Sequence, residues 1–187
     1  MRLKNILLYV LIITIISGCT LKTPEYKVDN NTSDVLNNYN LNQVSLSKEL
    51  DNNLNEYNYK LKLRAAEMIP SMGGSYSNYI AISLKQQLSQ NDLYKDDSNI
   101  VVKTKLLQND VDIWGLSKGS YTLSINFIVL KNGEIVYNRN ISNTHEFDSH
   151  FVGQIAIENA INNYPIAVQK VLNKFLLDED FIKNVRK

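Results

Sequence analysis

Between Tyr121 and Val129 the chain alternates without a slip. Tyr121, Leu123, Ile125, Phe127 and Val129 are apolar, while Thr122, Ser124 and Asn126 between them are polar. A period of two places the two sets on opposite faces of a strand, one against a core and one against water. Asn132-Gly133 follows, a pair that accepts positive φ at both central positions of a tight hairpin. "EIVYNRNISNTHEF" then returns as the partner strand. A lone hairpin is marginal in water, so this apolar face has to be covered by something else in the chain.

Two segments have the pattern to cover it. Ser75 or Ser77 can cap a helix over about 76–89, in which Ile80, Leu84 and Leu88 recur every fourth residue. From about 152 to 177 a second apolar stripe runs through Ile157, Ala160, Ile161, Tyr164, Val168, Val171, Leu172 and Phe175. Pro165 lacks a backbone donor, so the stripe predicts either a kinked helix or two helices meeting near Tyr164. "NIVVKTKLL" and, after a polar interruption, "VDIW" read as strands, and "GLSKGS" as the turn after them. "NQVSLSK" at 42–48 reads as a first strand, whereas "YKLKLRAAEMI" fits a strand over 59–63 or the start of a short helix. "DEDFIKNVRK" closes the chain as an amphipathic turn. The expected fold is α+β: a two-layer sandwich, its antiparallel sheet a meander with the Asn-Gly hairpin, covered on one face by two helices.

The N-terminus is of another kind. "MRLKN" is a short positive region and "ILLYVLIITII", Ile6 to Ile16, an apolar run of eleven residues. A bilayer-spanning helix needs about 20, so the run suits the core of a signal peptide. It ends in Ile16-Ser17-Gly18-Cys19, and Cys19 is the only cysteine of the chain. This order resembles the lipobox of bacterial lipoproteins: an aliphatic residue, two small residues, then cysteine. The resemblance covers residues 1 to 19. It implies that Cys19 carries a diacylglycerol on sulfur, that the signal 1–18 is removed, and that the new amino group is often acylated. Each buried CH₂ adds about 0.8 kcal/mol, so two or three acyl chains anchor a protein without a spanning helix. Position 20 is Thr rather than Asp, which by the same resemblance points to the outer membrane, facing the periplasm. In a host with one membrane the location would be the outer face of the plasma membrane.

From Thr20 to about Leu41 the sequence is rich in Asn, Asp and Thr and has no sustained apolar period. It reads as a flexible tether, about 25 Å long on average and up to roughly 70 Å extended. The domain plan is therefore a signal peptide (1–18), a lipidated cysteine and tether (19–41), and one α+β domain (42–187). With the signal removed, Lys+Arg falls from 20 to 18 against 19 acids, a net charge of −1. A near-neutral chain without a basic block excludes nucleic acid as the main partner. A lone cysteine excludes an internal disulfide.

Residues 64 to 185 also resemble the body of uncharacterised envelope lipoproteins of Gram-negative bacteria. "GGSYSNYIAISLKQQL", "NDVDIWGLSKGSYTL", "NGEIVYNR", "HEFDSHFVGQIAIENAINNYP" and "DEDFI" carry that likeness. It implies fold and compartment and transfers no activity.

Reactive constellations are sparse. The two histidines lie in "HEFDSH" with Glu146 and Asp148. On a strand His145 points away from Glu146, Asp148 and His150, and the i, i+4 spacing of a helical zinc motif is missing, so a polar strand end is the simpler reading. Asp110 and Asp112 share a strand face but read as solvated. There is no G-x-S-x-G, G-x-x-x-x-G-K-[ST] or G-x-G-x-x-G. Neither a cofactor, a metal nor an enzymatic reaction is expected. Trp114, the only tryptophan, sits beside Gly115 in a strand connection, where it is either a partner contact or packing over the sheet end. Two functions follow. The first is a membrane-anchored, non-enzymatic accessory module that meets the bilayer through Cys19 and a protein of the envelope through its body. The alternative is a lipid- or small-molecule-binding auxiliary of an envelope transport system, which needs an apolar pocket between helices and sheet.

Overall fold

The structure, a computed structural model, describes residues 19–47 and 55–187. The expected signal peptide, 1–18, lies outside the described residues. The strands are β1 (Cys19–Lys22), β2 (Ser45–Leu46), β3 (Leu61–Leu63), β4 (Ala66–Ile69), β5 (Ile100–Asp112), β6 (Lys118–Lys131) and β7 (Glu134–Asp148). The helices are α1 (Asn30–Leu36), α2 (Tyr76–Gln90), α3 (Gly153–Leu176) and α4 (Glu179–Val185). One sheet has the order β2-β5-β6-β7 and a smaller one β1-β4-β3. The α+β layering is as expected, but the small sheet is an addition, and β1 and β2 join their sheets in parallel.

The alternation in β6 does what its period requires. Tyr121, Leu123, Ile125, Phe127 and Val129 are all buried, beneath α3, while α2 packs on β5. On the opposite face Asn126 donates to Asn138 and Asn140 of β7, both at 2.8 Å. Lys131 pairs with Glu134, leaving Asn132 and Gly133 as the loop, with φ of +54° and +87°. Phe127 stacks on Phe175 of α3, centroids 4.1 Å apart and planes within 6°.

The strand β5 runs straight through the expected interruption. Its buried residues are Ile100, Val102 and Leu106, then Asn109, with Ile113 buried just past its end. The register against β6 shifts between Leu106 and Gln108. This bulge inserts Leu107 and changes which parity faces inward, so one continuous strand reads in sequence as two. Asn109 lands in the core, where its amide accepts from the Tyr164 hydroxyl at 3.2 Å and donates to the Tyr57 carbonyl at 2.9 Å.

At the start of α2, Ser75 is the cap, accepting from Asn78 N at 3.2 Å. Ser77 instead donates from both N and Oγ to the buried Asn58. Gly73 (φ +73°) cannot be replaced easily, since a Cβ there would lie 2.5 Å from Asn78 Cβ. Pro165 falls inside one continuous helix, α3, rather than between two. The open alternative at 59–63 resolves as a hairpin: β3 pairs with β4, Leu63 opposite Ala66.

The tether expected over 19–41 is corrected. Cys19 to Lys22 form β1, paired with Ala66 to Ile69 of β4. Leu36 of α1 and Tyr26 are buried in the core. Gln87 of α2, fully buried, holds this segment with its whole amide. Its Oε1 accepts from Tyr26 Oη (2.9 Å) and Asp29 N (2.8 Å), and its Nε2 donates to Asp29 O and Ser33 Oγ (both 3.0 Å). Asn42 N then donates to Val185 O at 2.7 Å, binding the segment to the C-terminus. The Asn/Asp/Thr-rich composition that suggests a coil supplies caps and backbone contacts instead. Residues 19–41 are therefore part of the folded body, which does not wait until residue 42.

Candidate functional site

The β3–β4 turn lies at the end of the small sheet where β1 starts, Cys19 opposite Ala66. Arg64 occupies it with φ +52°, a left-handed conformation that costs a side chain about 1–2 kcal/mol. Three backbone carbonyls receive its guanidinium. Nε donates to Ile113 O at 2.9 Å, Nη2 to Gly115 O at 3.3 Å and Nη1 to Phe151 O at 3.4 Å. The β5–β6 connection and the β7–α3 connection are thus clasped to one side chain. Ser149 N adds a bond to Ser117 O at 2.9 Å between the same two connections.

Both connections present large apolar side chains to solvent. Trp114 is 74% exposed, Leu116 77% and Phe151 71%, with Val152 and Ile155 also exposed at the start of α3. Scattered exposed apolar residues are ordinary, but several of them on two connections clasped to one side chain make a candidate interaction surface. The expectation that Trp114 packs over the sheet end does not hold, because Ile113 beside it is the buried residue and the indole faces water. Trp114 N donates to Asp112 Oδ1 at 3.0 Å, which fixes the backbone and leaves the ring free.

Cys19 lies at this same end. It pairs with Ala66, two residues past Arg64. Sequence reasoning picked Cys19 and Trp114 as separate features. It missed Arg64, Leu116 and Phe151, although large apolar residues flanking turns, as in "WGL" and "HFVG", are a readable signal.

The remaining candidates separate. His145 is buried against α3, where Lys170 Nζ donates to Nδ1 and Nε2 donates to Asn163 Oδ1, both at 2.9 Å. Burial, reinforced by the Lys170 ammonium, lowers its pKa below the usual histidine value, against a smaller opposing effect of Asn163. His150 accepts from Val152 N and lies against Phe151, ring centroids 4.5 Å apart. Asp148 pairs with Lys118 at 2.7 Å, and that contact lowers its pKa. Asp110 accepts from Gln108, and Asp112 from Trp114 N; both carboxylates are exposed. Among the described residues no three of His, Cys, Asp and Glu come together in a group fit for a metal.

Fully buried side chains among the described residues lie between helices and sheet. Tyr164 meets Tyr76, Tyr79 and Tyr121 at centroid distances of 4.9, 5.6 and 5.3 Å. Burial raises the pKa of all four phenols, which stay neutral donors. A cleft of about 560 Å³ opens elsewhere, along Tyr57, Lys60, Lys62 and Asp110. No helix among the described residues is long and apolar enough to cross a membrane.

No family model and no curated relative match the sequence. Solved structures do resemble the body. A Xanthomonas campestris protein assigned to DUF330 superposes with a TM-score of 0.58 at 9% identity, over 88% of this chain and 96% of that one. A candidate lipoprotein of Caulobacter crescentus gives 0.47 at 12% identity, over 83% and 96%. A minor lipoprotein of Acinetobacter baumannii gives 0.44 at 12% identity, over 77% and 92%. The first of these likenesses is one of fold, spanning nearly the whole of both chains.

Proposed function

We propose that this chain is a bacterial envelope lipoprotein, anchored through acyl chains on Cys19, whose α+β body serves an envelope assembly without catalysing a reaction. The observation that carries the reading is the sequence Ile16-Ser17-Gly18-Cys19, in which an apolar run and two small residues lead directly to a cysteine that is the first residue of β1. Thr20 favours the outer membrane, periplasmic face, as the site. The accessory role rests on the scarcity of paired reactive groups among the described residues and on the exposed apolar end at Trp114, Leu116 and Phe151. The alternative, a carrier of lipids or small molecules, needs an apolar pocket in the layer that Tyr164, Phe127 and Phe175 occupy. Metabolic labelling with a palmitate analogue tests the anchor. Label is expected on the wild-type chain and absent from Cys19→Ala; label on both, or on neither, refutes it.

A further inference from the structure

We propose that the patch formed by Trp114, Leu116, Phe151, Val152 and Ile155 rests in the lipid–water interface of the membrane that holds Cys19. The body would then touch its membrane twice, once through the acyl chains and once through its own side chains. This deepens the proposed function and rests on its placement of Cys19 beside a bilayer.

Three observations select a bilayer as the occupant. First, the patch and Cys19 share one end of the molecule, joined by the Arg64 turn: β1 begins opposite Ala66, while the Arg64 guanidinium holds the Ile113, Gly115 and Phe151 carbonyls. Second, there is no slack between anchor and body. The residue that would carry the acyl chains is itself the first of β1. A protein partner covering the patch would have to fit between this end and the headgroups, with no tether between Cys19 and β1 to make room for it. Third, the eighteen residues that precede Cys19, with their apolar run from Ile6 to Ile16, join the body at this end. Before processing, the leader draws the same end toward the membrane.

The chemistry suits that depth. Tryptophan is favoured at the headgroup level, where the indole lies among chain ends and its N–H meets water or ester oxygens. Phe151, Leu116 and Ile155 supply the apolar area beside it, as an interfacial helix face does. The Arg64 bonds hold both connections rigid, so little conformational freedom is lost on contact.

Trp114 is the chain's only tryptophan and so reports on the patch directly. The full-length chain would be expressed with its leader and extracted in detergent. It would then be reconstituted into phosphatidylethanolamine/phosphatidylglycerol vesicles, with and without lipids brominated along the acyl chain. The expected result is a blue-shifted emission, loss of most of it to brominated lipid, and shielding from acrylamide in the water. Leu116→Asp/Phe151→Asp, two changes at exposed positions, should restore the water-exposed emission with the circular dichroism unchanged. Trp114 that remains open to acrylamide and untouched by brominated lipid overturns the proposal and returns the patch to a protein partner or a second copy. The mass of the Cys19 peptide is read on the same sample. A missing acyl adduct refutes the anchor, while the quenching still decides the patch, because a chain retaining its leader is also held at the vesicle.

Discussion

Arg64 is the residue whose replacement separates two effects at the anchor end. In Arg64→Ala the three carbonyl contacts go, while the left-handed backbone is still occupied by a residue with a Cβ. Only the bond to Ile113 O, at 2.9 Å, has good length; those at 3.3 and 3.4 Å are long. A charge-assisted bond contributes about 1.5–3 kcal/mol net, and a half-buried one belongs at the low end, so the loss is about 2 kcal/mol. Arg64→Gly loses the same contacts but relieves the φ +52° strain, worth about 1–2 kcal/mol. Glycine's greater freedom in the unfolded chain takes back about 0.5–1 kcal/mol. Glycine should therefore be the more stable of the two variants by about 0.5–1 kcal/mol, with both below wild type. Urea unfolding followed by far-ultraviolet circular dichroism measures the ordering. Steady-state anisotropy of Trp114 should fall in both, because the loop beside it is no longer clasped. An alanine variant as stable as wild type would show that the clasp carries no load. A glycine variant no better than alanine would remove the strain argument.

Two further outcomes test the rest of the frame. In Gln87→Leu the contacts to Tyr26, Asp29 and Ser33 vanish together. Each buried group left unpaired costs about 1–3 kcal/mol, so the 23–36 segment should loosen and limited proteolysis there should speed up; an unchanged rate refutes its packing. His145 has a lowered pKa in the folded state, so the unfolded chain binds its proton first as pH falls. Its contribution to stability is full above the ordinary histidine value near 6.5 and declines below it. The melting temperature of wild type relative to His145→Gln should consequently drop between pH 7.5 and 5.5, and parallel curves would show that burial does not hold the His145 ring neutral.

How much of this was legible depends on which interaction carries each element. Where burial alone decides, as in β6, a period of two is visible in the letters, and Asn132-Gly133 marks the turn by its φ preference. At Leu107 the same rule misleads: a bulge moves the inward set by one residue, and Asn109 becomes a core residue by bonding to Tyr164 and Tyr57. The N-terminal segment is unreadable for a related reason. It is held by polar bonds to Gln87, a residue sixty positions away, and polar composition is what a flexible coil also shows. The clasp is harder still, because nothing about Arg64 among "KLKLRAAEMI" announces that three distant carbonyls converge on it. Cys19 and Trp114 could each be picked out as unusual. Their shared end could not, since it is set by the pairing of β1 with β4.

That shared end changes what a mutation can reveal. A body on a long tether samples the bilayer as a dilute solute would, and a weak patch would rarely be seated. With the proposed acylation, a body whose first strand begins at Cys19 would meet the bilayer as an intramolecular surface, at an effective concentration of order millimolar or more. Interfacial contacts too weak to bind a free protein are then well populated. On that proposal, removing one of them would tilt the body without releasing it, because two or three acyl chains would alone suffice to hold the chain. Leu116→Asp/Phe151→Asp should accordingly stay in the membrane fraction while Trp114 becomes open to water. Release of that variant into the soluble fraction would mean that the side chains, and not the lipid on Cys19, had been the anchor.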